Sequence, residues 1–459
     1  MPMADAQPRT MLIPVETLNR EFDGKLLLAL LAAERGWRAI IGGRTIMNEN
    51  MPLLPKSVYM AKAMRSTARK LFAELEGLGH RIVAFDEESL VRISDEMFLK
   101  RLEGRTLRHV RMLFAWGEDN SEMWQRSPAY EGTPITCTGN PRVDLLRPDL
   151  RGYYAPEIES IRRRYGEFAL LNSNFAIVNH FIPNRTRFKV AEWVAEHDRA
   201  RLRSGIVGHK QALFDAFIQA IPEIARTVAP NNLVIRPHPS ESAEPWIEAA
   251  AGLPNVHVVH EGSVVPWLAA AKVLLQNGCT SAVEAAVIGT PSLAYRPVVS
   301  PENDIVLPNS LSTECFDLPT LLARLREVWT AGGAGLDEAQ RRILEHHITG
   351  TTGTLCGERI LDTIDSQWSL LDYAPRRDVA GWIKGTINHQ RRWLPIRLRR
   401  LFSLRKKKDE YLKYKFPGIS DAYISERVER FASVLGRFEG LRARRLSRDV
   451  YEIVPGANR

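Results

Sequence analysis

The chain predicts an α/β fold: two doubly wound parallel-sheet domains facing across a cleft, with a helical basic C-terminal tail. Three observations carry this. Apolar runs of strand length alternate with helical patterns through both halves, the pattern of parallel sheets covered by helices. The 459 residues, 44% of them hydrophobic, suffice for two or three domains with their own cores and exclude a disordered chain or a small disulfide scaffold. The excess charge is confined to one place. Lys and Arg number 63 against 54 Asp and Glu, a net charge of +9, and 391–408 (RRWLPIRLRRLFSLRKKK) carries nine cations and no acid. The remainder is about neutral, which argues against a nucleic-acid surface.

Strand 10–15 (TMLIPV) opens the first domain and a helix over 24–35 follows. Further strands are predicted at 38–41, 81–85, 111–115 and near 134–138. The proline-bearing segment 140–154 (NPRVDLLRPDLRGYY) reads as a joint. It sets the domains at 1–150, 151–375 and a tail at 376–459. The second series begins with a strand at 168–172. It continues with helix 211–228, strand 232–236, helix 243–251, strand 256–260, helix 264–272, strand 273–276, helix 281–288 and strand 292–295. Pro222 should kink or break its helix. From about Leu318 onward the pattern is helical, with no strand expected.

The four cysteines form no CxxC pair and have no histidine at ligand spacing, so neither disulfides nor a zinc site is expected. The opening residues lack the apolar core of a signal peptide and no run approaches membrane-span length. The expected location is cytoplasmic, with peripheral association at the inner face of the plasma membrane as a further option.

In open parallel sheets the chemistry sits just past the strand ends. After strand 232–236 stand Arg236, His238 and Ser240, with Pro237 and Pro239 stiffening the exit. A guanidinium fork and a directed imidazole N–H there could meet a phosphate; a rigid loop with a solvated histidine is the plainer alternative. The stretch 276–291 (QNGCTSAVEAAVIGTP) places Gly278, Thr280 and Ser281 between a strand and a helix start, a setting that favours an anion. Ser281 and Glu284 also fit a capping box. In the first half Glu16, Arg20, Glu21 and Asp23 follow strand one. A carboxylate there could act as general base, although acids at a helix start are ordinarily caps. Glu118 and Asp119 follow another strand, where a solvated loop explains them. Asn140 and Arg142 in GNPRVD serve either the joint or substrate. Asn172, Ser173 and Asn174 could line the cleft floor or simply form a turn. No GxxxxGK[ST], GxSxG, HExxH or GxGxxG stands in the right context, and no acidic cluster suggests a catalytic metal.

The elements RPHPSE (236–241) and NGCTSAVEAAVIGTPSLAYRP (277–297), with IPVETLNREFDGKLLLA near the start and TGNPRVDLLRP (138–148) at the joint, resemble the bacterial surface carbohydrate biosynthesis proteins. That family is similar to capsule-type Kdo transferases and polysialyltransferases of the GT-B class, built from two Rossmann-like domains. The resemblance spans about 10–375 and extends more loosely to KYKFPGIS (413–420). It implies that His238 and Pro239 contact the nucleotide, that Thr280 and Ser281 contact its phosphate, and that Glu284 holds the ribose hydroxyls. The acidic D/E-D/E-G element of sialyltransferases is matched only in part, by Asp23 and Gly24. UDP-N-acetylglucosamine 2-epimerases share the His-Pro and turn pattern, but their paired glycines are replaced here by Cys279, Thr280 and Ser281.

The reading that follows is a metal-independent glycosyltransferase of surface polysaccharide synthesis, for capsule or lipopolysaccharide. It would move a sugar from a nucleotide donor, CMP-Kdo or a related CMP-sugar, to a glycan or glycolipid acceptor, with no cofactor beyond the donor as substrate. Asp23 is the preferred base ahead of Glu21, and His238 acts at the leaving phosphate. The alternatives are a sugar-nucleotide epimerase and a non-catalytic scaffold. Residues 382–408 interleave apolar groups with arginines and either lie on an anionic leaflet or pack back on the body with a solvated basic face.

Overall fold

In a computed structural model, residues 9–102, 104–181, 196–333, 335–373, 378–401 and 415–456 are described. The contacts divide the chain into two units, 1–90 with 95–153 and 346–459, and 91–94 with 154–345. The expected segments 1–150, 151–375 and 376–459 therefore differ from what is found, because the C-terminal residues return to the first unit.

The first unit is an eight-stranded sheet. Its strands are β1 (Thr10–Val15), β2 (Arg38–Gly43), β3 (Val58–Ala61), β4 (Arg81–Ala84), β5 (Val110–Ala115), β6 (Ile135–Cys137), β13 (Leu441–Ser447) and β14 (Val450–Pro455), in the order β13-β14-β2-β1-β3-β4-β5-β6. β1 to β6 pair in parallel. β1 is buried along its whole length, as a central strand covered on both faces must be. Three of these strands are corrections to the sequence reading. One is β3 (VYMA), which lies between the short helical turns Met51–Leu53 and Ser66–Ala68. β13 and β14 fall where only helix was expected: they form an antiparallel hairpin, and β14 pairs antiparallel to β2 from Val450 opposite Gly42 to Ile453 opposite Ala39. β13 (LRARRLS) lies mostly exposed, and as an edge strand its arginines have no need of an apolar pattern.

Helix Leu18–Glu34 follows β1 and starts earlier than predicted, with thirteen buried residues along its length. Two elements pin it. Helix Asp421–Leu435 lies against it through Phe22 and Tyr423, whose rings are 5.5 Å apart. On another side a Cβ at Gly24 would stand 2.8 Å from the Pro141 carbonyl oxygen and 2.9 Å from its carbon, so Gly24 permits backbone contact with helix Pro141–Asp144. A Gly24→Ala variant is expected to lose about 1–3 kcal/mol by overpacking, read as a fall in denaturant midpoint at unchanged slope.

The second unit is a six-stranded all-parallel sheet of β7 (Phe168–Asn172), β8 (Asn232–Arg236), β9 (Val256–Val258), β10 (Val273–Gln276), β11 (Ser292–Tyr295) and β12 (Thr313–Cys315), in the order β12-β11-β10-β7-β8-β9. Its helix Glu196–Val228 continues through Pro222 and does not break there. Both sheets are Rossmann-like, and each has a switch point where the strand order reverses: between β1 and β3 in the first, between β7 and β10 in the second. Crevices at such points are the usual ligand positions in open parallel sheets. Among the described residues no helix is long and apolar enough to cross a membrane.

Candidate functional site

In the second unit the switch point gathers most of the residues singled out from sequence. Ser173, directly after β7, receives a hydrogen bond from the His238 amide at 3.1 Å and donates to Glu241 at 2.8 Å. Asn174 donates from Nδ2 to the Gly278 carbonyl at 2.9 Å. The loop after β7 thus ties the His-Pro element to the turn after β10. Glu241 is the anchor: it also accepts from the Phe175 amide and Trp246 Nε1, and burial pushes its carboxyl up. His238 is exposed, and its Nδ1 accepts the Ser240 amide at 3.1 Å, which leaves the proton of the neutral ring on Nε2.

The turn itself differs from expectation in its donors. The helix begins at Thr280 with Cys279 as N-cap, and Ser281 turns its hydroxyl to Cys279 Sγ at 3.1 Å, so the capping box does not form. The Gly278 amide donates to Asn309 Oδ1 at 3.1 Å and the Cys279 amide to Gln276 Oε1 at 2.9 Å. Of the amides of Gly278 to Ser281, the first two are thus already used within the fold. Gly278 has φ +58, the left-handed conformation that favours glycine there. Glu284 is buried in the second turn of this helix.

Arg236 is set apart from this group. Its guanidinium reaches the carbonyls of Glu261, Gly262 and Ser263 at 2.9, 3.2 and 3.3 Å and stacks over Trp267, so it holds the loop after β9. Asn172 is buried with Oδ1 lacking a hydrogen bond among the described residues. Pro239 is exposed beside His238.

The sequence reading missed Lys210. It projects from helix Glu196–Val228, is 8% exposed, and has no hydrogen bond or ion pair among the described residues. Its ammonium lies 5.8 Å from the Phe175 ring centre. Burial lowers its pKa against the pull of Cys279, Asp304 and Glu241. Its neighbour His209 is committed elsewhere, with Nε2 2.9 Å from Asp304 Oδ1.

In the first unit the switch point holds a buried charge cluster. Glu16 meets Lys62 at 2.8 Å, Arg44 at 3.0 Å and Lys415 at 3.2 Å. Burial alone would raise its carboxyl, but these cations bring it down to about 2. Glu21 bonds Lys25 at 2.8 Å and receives the Glu16 amide; against full burial, Lys25 and Lys62 hold its carboxyl well below the usual range. A carboxylate so paired is a poor proton acceptor, which counts against Glu21 as base. Arg142 lies 3.5 Å from Glu87 and over Trp116, while Asn140 accepts the Arg142 amide and caps its helix.

Asp23, the preferred base from sequence, is engaged by Tyr153 Oη and Arg427 Nε, each at 2.9 Å. Those bonds fasten helix Asp421–Leu435 to the core, and with Gly24 spent on backbone contact the Asp23-Gly24 pair reads as structure. A different carboxylate stands out. Asp86, after β4, is 1% exposed; Oδ1 accepts the Glu88 amide at 2.9 Å, and Oδ2 has no hydrogen bond among the described residues. Burial raises it to about 6 despite Arg101. The signal was present: DEES (86–89) supplies the adjacent acids that Asp23-Gly24 lacks. Elsewhere, ligand atoms of Glu118, Glu122 and His346 approach within 4.8 Å of one another, but all three are exposed, a setting in which such groups commonly meet without an ion.

No family model matches the chain, and no curated protein does. Solved structures do. A provisional UDP-N-acetylglucosamine 2-epimerase of Listeria monocytogenes is 13% identical, with TM-score 0.50, over 79% of this chain and 97% of its own. The UDP-GlcNAc-bound 2-epimerase of Neisseria meningitidis is 12% identical over 79% and 100%, at 0.47. The wall teichoic acid polymerase TagF is 10% identical over 83% and 88%, at 0.41. The chain has a GT-B-like fold.

Proposed function

We propose that this protein is a GT-B glycosyltransferase that takes a nucleotide-activated sugar and passes the sugar to a hydroxyl of a surface glycan or its lipid-linked precursor. The observation that carries the reading is the tie made by Ser173 and Asn174: it puts His238 and the turn at Gly278 on one edge of one sheet, at its switch point. A donor phosphate there would meet the His238 Nε2 proton, the Thr280 amide with its helix dipole, and the Lys210 ammonium. These groups suit the charge that grows on the leaving phosphate as the sugar departs, so the transfer is expected to survive chelation of divalent ions. The resemblance of the motifs favours a CMP-linked acidic sugar such as CMP-Kdo, and capsule or lipopolysaccharide as the product.

Proton removal from the acceptor hydroxyl is assigned to Asp86, in place of Asp23. A carboxylate near pKa 6 is basic enough to help and still ionised at neutral pH.

A panel of sugar nucleotides, each with and without acceptor glycan, tests the reading. The expected result is acceptor-dependent release of one nucleotide, reduced about a hundredfold in kcat/KM by His238→Ala. Turnover in that variant equal to the parent would remove His238 from the site. The fold shared with a 2-epimerase supports a second reading, in which donor is consumed at full rate without acceptor.

A further inference from the structure

Helix Val379–Leu401 holds the described part of the basic segment. One face is seated on the first unit: Trp382 Nε1 bonds the Pro52 carbonyl, Gly385 abuts the Gly77 backbone, and His389, fully buried, bonds Glu74 and the Glu49 carbonyl. Trp393 packs one turn further along at 8% exposure. The opposite face is uncovered, and it carries an apolar stripe interrupted by exposed Gln390 and Arg391. Val379, Ile383, Ile387, Leu394 and Leu398 are 64, 49, 48, 52 and 44% exposed. Their spacing of four, four, seven and four residues keeps them on one stripe of the helix. Lys384 and Arg391 stand exposed on the same side, and no acid occurs from 379 to 408. The continuation 402–408, with four more cations in its sequence, lies outside the described residues.

We propose that this helix is an in-plane membrane anchor: its apolar stripe enters the acyl boundary of an anionic leaflet while Lys384 and Arg391 meet the lipid headgroups. A protein partner of like burial would call for complementary acids, and an aqueous surface would not hold five large apolar residues in register. The charge selects the occupant, since each cation near an anionic leaflet adds attraction that vanishes within a Debye length. The body-facing bonds fix the orientation, so the anchor is part of the first unit. This goes beyond the transferase reading and stands or falls separately from it.

The test is co-sedimentation of the full chain with vesicles of phosphatidylcholine alone and with phosphatidylglycerol added. Binding is expected only to the anionic vesicles and to weaken with salt. Ile383→Ser combined with Ile387→Ser and Leu394→Ser should lower the affinity at least about tenfold, with an unchanged melting temperature because these side chains support no core. Absence of binding by the parent chain overturns the proposal. So does binding indifferent to the triple variant, or a concentration-dependent dimer that the variant abolishes, which would make the stripe a self-interface. Transfer to a soluble acceptor is measured on the same samples: full turnover without vesicle binding sinks the anchor alone, and vesicle binding without turnover sinks the transferase alone.

Discussion

Asp86→Asn is expected to lose two to four orders of magnitude in transfer rate and yet to fold more stably above about pH 7. The two effects have one origin. Burial raises this carboxyl from 3.8 to about 6, so between those values the native state holds a proton that the unfolded chain has released. The sign is that of a raised acid: stability is complete below the unfolded pKa and falls as pH climbs through the folded one. At about 1.4 kcal/mol per unit, the ionised form costs the native state about 3 kcal/mol at neutral pH. Asparagine removes the charge and keeps an oxygen for the Glu88 amide, but it adds donors needing partners, so part of that amount returns. Melting temperatures should therefore diverge in the variant's favour as pH rises from about 4 to about 6, keep that separation at higher pH, and not diverge further below about pH 4. The acidic limb of the parent's rate profile should lie near pH 6 and be absent from the residual activity. An unaltered rate would remove Asp86 from the chemistry. Lost activity without the stability crossover would mean that the carboxyl is not held at high pKa.

The parts of this molecule legible in its sequence are those whose cause is local. β1, β7, β8, β10 and β11 each contain an unbroken apolar stretch followed by turn-forming or polar residues, and their predicted bounds match the structure. His238 and the turn at Gly278 could be found because each directly follows such a strand. What stayed hidden depends on distant partners. β13 and β14 form a sheet edge only because β2 presents Gly42, where a Cβ would stand 2.4 Å from the Asp449 carbonyl oxygen, and nothing local in LRARRLS signals pairing. That Asp23 is tied into the fold is decided by Arg427, 404 positions away. The amides of Gly278 and Cys279 look open until Asn309 and Gln276 are seen to take them. A helix start read from sequence shows which donors exist, whereas only the packed structure shows which are already used.

That loss of backbone donors gives Lys210 its weight. A lysine 8% exposed with no ion pair among the described residues is a burden on the fold, because burial penalises its charged form and lowers its pKa below the ordinary 10.5. In the unfolded chain the same ammonium stays protonated to higher pH, so stability should rise as pH climbs through the lowered value. An anionic donor reverses the preference, since a phosphate beside the ammonium favours the charged form. Lys210→Met keeps the volume and removes the charge. It is expected to raise the melting temperature of the unliganded protein, and to weaken the donor about ten- to a hundredfold, the worth of one charge-assisted contact of about 1.4–2.7 kcal/mol. Because negative charge on the leaving phosphate increases toward the transition state, kcat should fall along with the rise in KM. In the parent, donor affinity should decline at alkaline pH as the ammonium loses its proton, and this decline should be missing from the methionine variant. A more stable variant with parental donor affinity would show that Lys210 is only a buried structural cation.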